Sequence, residues 1–179
     1  MVRKFYVERN NNNDALVDYL VAIKYDARAT TLHYIKNITE EELDWLPYEG
    51  WNTIGALLEH IIAGEQYFKR YFIEEKEFTK EEEERWLPGL DLGKYVSQLK
   101  GKSAEQYVRE LTESRIELEE SIRTLSAEKL LERRMGAYDK VTGCDLAWVL
   151  YHSAEDEVHH RGQISITRKL YKKMREGKL

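Results

Sequence analysis

Apolar positions recur three and four residues apart through four long stretches of this chain, the period of a helix with one buried stripe. The first stretch runs from about Asn13 to Asn37 and sets Leu16, Leu20, Ile23, Ala27, Thr31 and Tyr34 on one face. The second opens at Asn52 or Thr53, either of which suits an N-cap, and reaches about Glu75. The third starts at Ser103, with Gln106 placed to complete a capping box, and turns Tyr107, Leu111, Ser114, Leu118, Ile122 and Leu125 inward. The fourth begins between Gly143 and Asp145 and continues to Arg175.

Shorter helical pieces sit between these stretches. "TEEELDWLP" and "SAEKLLERR" each read as a capped turn or two, and "TKEEEERW" as a third. Residues 76–102 form the longest connection, too long for a tight hairpin and long enough for an overhand crossover between parallel helices. The acidic run Glu81 to Glu84 reads as a solvated face, the "NNNN" run as a loop or frayed cap, and residues 1–11 as an N-terminal arm. With only Pro47 and Pro88 to interrupt it, and no repeat or composition break, the chain reads as all-α. The expected fold is one domain over residues 1–179, a four-helix bundle with long connections and short extra helices.

Composition narrows the function classes. The chain has 179 residues, 34% of them charged, with a net charge of -5 and no basic stripe, which argues against a nucleic-acid partner. A lone Cys144 excludes an internal disulfide and fits a reducing compartment. "MVRKFYVERNNNND" lacks the apolar run of a signal peptide, and no window approaches a membrane span, so a cytoplasmic location is expected. The glycosylation match at Asn37-Ile38-Thr39 is then read as chance. The 12 Tyr and 4 Trp exceed what a slim bundle must hold inside, which points to a homodimer that buries some of them.

The candidate chemistry lies in "AEDEVHHRGQI", residues 154–164. Side chains at i and i+4 stack on one helix face about 6 Å apart, close enough for two of them to grip one ion. His152, Asp156 and His160 follow that spacing, but the outer two are separated by about 12 Å of rise, so only one adjacent pair can share a metal. Glu155 with His159 has the same spacing on another face. A pair needs a third ligand from elsewhere. His60, among Leu57, Ile61 and Gly64, is the inward histidine outside the last helix, whereas His33 reads as structural or exposed. A di-iron site fails on counting, because Glu157 to His160 supplies a single Glu-x-x-His.

Two segments resemble the DinB-like superfamily of metal-dependent helical bundles, which includes bacillithiol and mycothiol S-transferases. "WNTIGALLEHIIAGEQYF" is similar to that family's second helix, with His60 at the histidine-ligand position. "LAWVLYHSAEDEVHHRGQI" is similar to its last helix, where His-x-x-x-His precedes Arg-Gly-Gln. The second histidine falls on His160 and the first on Asp156, so this chain departs from the common three-histidine pattern. The resemblance covers roughly residues 12–175.

It implies a divalent ion (Zn, Ni, Mn or Fe) held by His60, Asp156 and His160, with positions left open for substrate. A low-molecular-weight thiol would be activated there as thiolate against a small-molecule electrophile. Arg161, Gln163 and Glu155 would orient the ligands, and a close helix approach would explain Gly162 in mid-helix. Trp51, Tyr67 and Trp148 are candidates to hold the electrophile, though core positions suit them better. At the start of the last helix, Cys144 could have its pKa lowered by the helix dipole. The rival readings are a hydrolase activating water, an iron site activating oxygen, and a non-catalytic helical dimer with structural histidines.

Overall fold

The computed structural model describes residues 1–11, 13–134 and 143–179; Asn12 of the "NNNN" run lies outside them. Among the described residues seven α-helices follow one another: α1 (Ala15–Tyr34), α2 (Glu40–Asp44), α3 (Ile54–Tyr67), α4 (Lys80–Leu90), α5 (Ala104–Arg123), α6 (Ala127–Leu131) and α7 (Leu146–Arg175). No β-strand occurs among the described residues; an isolated bridge joins Arg134 and Cys144. The four long helices α1, α3, α5 and α7 form the bundle, and α2, α4 and α6 are the short additions in its connections. No helix among the described residues is long and apolar enough to cross a membrane.

Side-chain caps set most of the boundaries. Thr39, Thr53, Thr79, Ser103, Ser126 and Asp145 each accept a hydrogen bond from a backbone N–H of the first turn they precede. Thr79 with Glu82 and Ser103 with Gln106 close full capping boxes. The second stretch keeps its helical register only to Tyr67 and then widens into a π-helical segment, Phe68–Ile73. That segment packs Phe72, Phe68 and Tyr71 around Tyr67.

The connection over residues 76–102 is the overhand crossover that its length allowed. Leu57 and Leu58 near the start of α3 share a core cluster with Tyr107 and Leu111 near the start of α5. Phe72, just beyond α3, shares the other cluster with Leu118 and Ile122 at the far end of α5. The two helices therefore run parallel. α1 and α7 are parallel as well, since Lys24 meets Ser153, Arg28 meets Glu157 and Arg168 meets the Tyr34 carbonyl. Each parallel pair lies antiparallel to the other, with α1 and α3 at opposite corners.

α1 differs from its expected face. Val17, Leu20, Val21, Ala27 and Thr31 are buried, and so are Lys24 and Arg28. Leu16 and Ile23 are only half-buried and Tyr34 is exposed. The stripe is rotated because it delivers two cations to the centre of the bundle, which a purely apolar count cannot register.

Candidate metal centre

His60 sits two turns into α3, and Asp156 and His160 lie one turn apart on α7. The structure brings the three together: one potential ligand atom of each lies within 4.8 Å of the others. Asp156 Oδ2 is 3.4 Å from His60 Nε2, and Oδ1 is 3.2 Å from His160 Nε2. The two rings meet edge to face at 4.9 Å between centroids. His160 is buried, while the Asp156 side chain keeps 34% of its exposure, so the cluster opens to solvent through the carboxylate.

The remaining ring nitrogens fix how the cluster is protonated. His60 Nδ1 lies 3.0 Å from the Gly89 carbonyl, which can only accept, so Nδ1 carries the proton and Nε2 the lone pair. Gln163 places Oε1 2.9 Å from His160 Nδ1, and its Nε2 faces His159 Nε2 at 3.1 Å. With the amide nitrogen donating to His159, Oε1 accepts from His160 and frees that Nε2 too. Three acceptors then converge with no donor between them. Only a cation or added protons can occupy that point favourably. Without a metal the protons serve: burial opposes it, but hydrogen bonds with His160 and His60 hold the Asp156 carboxyl far below its usual range. Against the same cost of burial, Asp156 and Gln163 raise the His160 imidazole.

The spacing also suits an ion. Tetrahedral bonds of about 2.1 Å put ligand atoms about 3.4 Å apart, close to the 3.4 and 3.2 Å at which His60 and His160 stand from the two oxygens of Asp156.

Gly89 was not legible as part of this site. It lies in the last turn of α4, one residue after Pro88 and one before the terminal Leu90. A Cβ on it would stand 2.9 Å from both the Glu59 carbonyl and Ala63 Cβ, so only glycine lets α4 approach α3 closely enough for its carbonyl to reach His60. Salt bridges hold that approach. Arg85 of α4 binds Glu59 at 3.3 Å and Glu110 at 3.1 Å, and Lys102 binds both carboxylates from the other side.

Below the cluster the bundle buries a set of charges contributed by all four long helices. Arg28 binds Glu157 and Glu65, each at 2.9 Å, and donates to the Leu111 carbonyl. Arg115 binds Glu157 and Glu65, each at 2.6 Å, and donates to the Lys24 carbonyl. Ser114 adds a hydrogen bond to Glu65 at 2.7 Å, and Lys24 Nζ bonds Ser153 Oγ and stands 3.8 Å from Glu65. Against the cost of burial, Arg115 and Arg28 hold the Glu65 carboxyl far below its usual range, and Arg28 and Arg115 likewise depress Glu157. Burial, helped by Arg115, lowers Lys24 from 10.5 to about 7. Because Glu157 is anchored inward, its neighbour Asp156, about 100° around the helix, is turned toward α3.

The other candidates separate cleanly. His152 stacks flat on Trp148 at 5.0 Å and pairs with Glu155 at 3.3 Å, away from the cluster. His159 and His33 are exposed. Of the three orienting residues expected, Gln163 alone takes that part: Arg161 donates to the Ala27 carbonyl at 3.3 Å, and Glu155 bonds His152 and Tyr151. Trp51 and Trp148 are exposed rather than core, whereas Tyr67 packs among Phe68, Tyr71 and Phe72. Beyond its own stretch of helix backbone, nothing lies within 4 Å of where a side-chain methyl on Gly162 would stand, so no close helix approach explains it here. Burial raises the Cys144 thiol instead of the helix dipole lowering it.

Residues 25–164, a span that holds the whole cluster and well over half of the chain, match the family model of the DinB superfamily. No match was found among curated proteins.

Proposed function

The chain belongs to the DinB superfamily, and on that footing we propose that it is a metal-dependent enzyme of the thiol S-transferase kind. In this reading His60 Nε2, Asp156 and His160 Nε2 hold a divalent ion from the group Zn, Ni, Mn and Fe. The observation that carries it is the convergence of three acceptors whose other polar atoms are already committed to Gly89 and Gln163. When bound, the ion would lower the pKa of a low-molecular-weight thiol and present it as the thiolate nucleophile.

The chain's own residues do the rest. Gly89 and Gln163 hold the two imidazoles in the tautomer that ligates, which avoids a reorganisation cost when the ion arrives. Asp156 contributes the negative charge, making the set harder than three imidazoles. Its exposed edge is the side on which substrate approaches. Three protein ligands leave room for that substrate, the arrangement of catalytic rather than structural sites.

The test is metal analysis of the chain purified without an affinity tag, followed by thiol-conjugation assays of the loaded protein. We expect one divalent ion per chain, lost in His160→Ala and His60→Ala and retained in His152→Ala and His159→Ala. Loaded protein should consume thiol stoichiometrically with a chromogenic electrophile. Loss of electrophile without loss of thiol would assign the hydrolytic reading instead. Absence of stoichiometric metal after incubation with each ion would leave the histidines structural.

A further inference from the structure

Two features of α3 beside the metal centre run against helix stability. Gly64 stands inside the helix, where glycine is a poorer former than alanine. One turn later the chain leaves α-helical geometry for the π-helical segment that begins at Phe68, a rare form that concentrates at functional sites.

Close packing explains two other glycines of this region. A Cβ on Gly55 or Gly89 would stand 2.9 Å from a neighbouring atom. Gly64 is different. Its backbone is ordinary α-helix. Beyond its chain neighbours and the helix backbone around it, the one described atom within 4 Å of a Cβ there is Phe68 Cε2, at 3.8 Å. No atom of α7 comes as close, although α7 is the helix toward which His60 points. The seam between α3 and α7 is therefore open at Gly64.

Residues four apart share a helix face, so Gly64 lies about 6 Å along the axis from His60, and Phe68 about 6 Å farther. The polar residues of this stretch turn elsewhere. Glu65 enters the buried ion set, and Gln66 and Lys69 both reach Glu117 of α5. Between the metal ligands and the edge of the Phe68 ring there remains a half-buried strip of helix that carries no charge of its own. It starts beside the exposed carboxylate edge of Asp156, the side on which substrate reaches the ion.

We propose that this strip is a substrate subsite, which holds a flat apolar group attached to the reacting carbon of the electrophile. The group lies over Gly64 with its edge against Phe68, and Gly64 sets its size because any side chain there would fill the same volume. The proposal rests on the metal-centre reading and adds to it the class of electrophile, a benzyl-type compound in preference to an aliphatic or ionic one.

Acetohydroxamate and benzohydroxamate test it without turnover. Both chelate a metal through the same head, and they differ in carrying a methyl or a phenyl group next to it. Calorimetry of the zinc-loaded full chain should show benzohydroxamate binding at least about 10-fold more tightly, from ring surface buried against Phe68. Gly64→Leu should erase that preference, weakening benzohydroxamate by about 10-fold or more while zinc content and acetohydroxamate affinity stay as they were. Phe68→Ala should weaken benzohydroxamate alone. Gly64→Ala should melt at a higher temperature than the unaltered chain, because it gains a helix former whose methyl meets only ordinary contact. An unaltered chain that retains no zinc, or that ignores acetohydroxamate, would remove the metal centre and this subsite with it. With both bound, equal affinity for the two hydroxamates, or a preference untouched by Gly64→Leu, overturns the subsite alone. A Gly64→Ala variant that melts lower overturns it too, by showing that the glycine serves packing.

Discussion

Replacing Lys24 by methionine should stabilise the protein at neutral pH, although it removes a hydrogen-bonded buried cation. Three cations, Lys24, Arg28 and Arg115, share the core with two carboxylates, Glu65 and Glu157. Each carboxylate is already bound by both arginines, and Glu65 also by Ser114. Lys24 is the surplus charge. Burial lowers its pKa from 10.5 to about 7, a shift that corresponds to about 5 kcal/mol of free energy spent at neutral pH on keeping the amine in the core.

Methionine of similar length removes that cost and leaves two cations on two anions. Ser153 keeps a contact with the Leu150 carbonyl at 3.4 Å. Allowing for imperfect repacking, the net gain at pH 7 should be about 3 kcal/mol, within the range seen when buried ions give way to apolar groups. The sign of the pH dependence follows. The unfolded chain holds the Lys24 proton up to about pH 10 and the folded chain releases it near 7, so stability of the unaltered protein rises with pH between those values. The slope from this group is about 1.4 kcal/mol per pH unit, and Lys24→Met lacks it. Urea denaturation of both proteins at pH 7, 8 and 9 should show the advantage of the variant shrinking by about that amount at each step. A constant difference across pH, or a variant destabilised by more than about 1 kcal/mol at pH 7, would refute the reasoning.

Other perturbations probe separate features. Glu157→Gln leaves Arg28 and Arg115 short of a counter-charge in the core and should cost about 3–5 kcal/mol in chemical denaturation. Gly162→Ala adds a methyl that meets nothing in its own chain and should raise thermal stability by about 1 kcal/mol. Gln163→Ala frees His160 Nδ1 and should weaken metal affinity about 10–100-fold by competition titration, with little change in melting temperature. Asp156→His should keep zinc bound and shift preference away from manganese, read by competition between the two ions.

The polar residues that begin helices were the most informative part of the sequence. Thr53, Ser103 and Asp145 mark their helices because an oxygen there satisfies an otherwise orphan N–H, a local effect that needs no tertiary context. The spacing of Asp156 and His160 was legible for the same reason, since one helical turn fixes it. Contacts that depend on another helix were not. Lys24, Arg28, Glu65, Arg115 and Glu157 all score as surface residues in a hydrophobicity pattern, yet they gather at one depth of the bundle, where the two arginines and two glutamates neutralise one another. A search for opposite charges on otherwise apolar stripes could have found Glu65, which stands inward after Leu58, Ile61 and Ile62. Gly89 gave no signal at all, because its role depends on how closely α4 meets Glu59.

The buried ion set also bears on how the chain reaches its folded state. Arg28 joins residues 37 and 129 positions away, and Arg115 residues 50 and 42 positions away. No two helices docked alone can satisfy the group: α1 with α5 brings only cations and α3 with α7 only anions, while α3 with α5 and α1 with α7 each pair one arginine with one carboxylate and leave both without their second partner. A half-assembled bundle must therefore either stay wet at its centre or hold half-satisfied ions in a dry one. Both options raise the free energy of partial structures relative to the complete one, so the four helices should consolidate together, with secondary and tertiary signals lost in a single coincident transition.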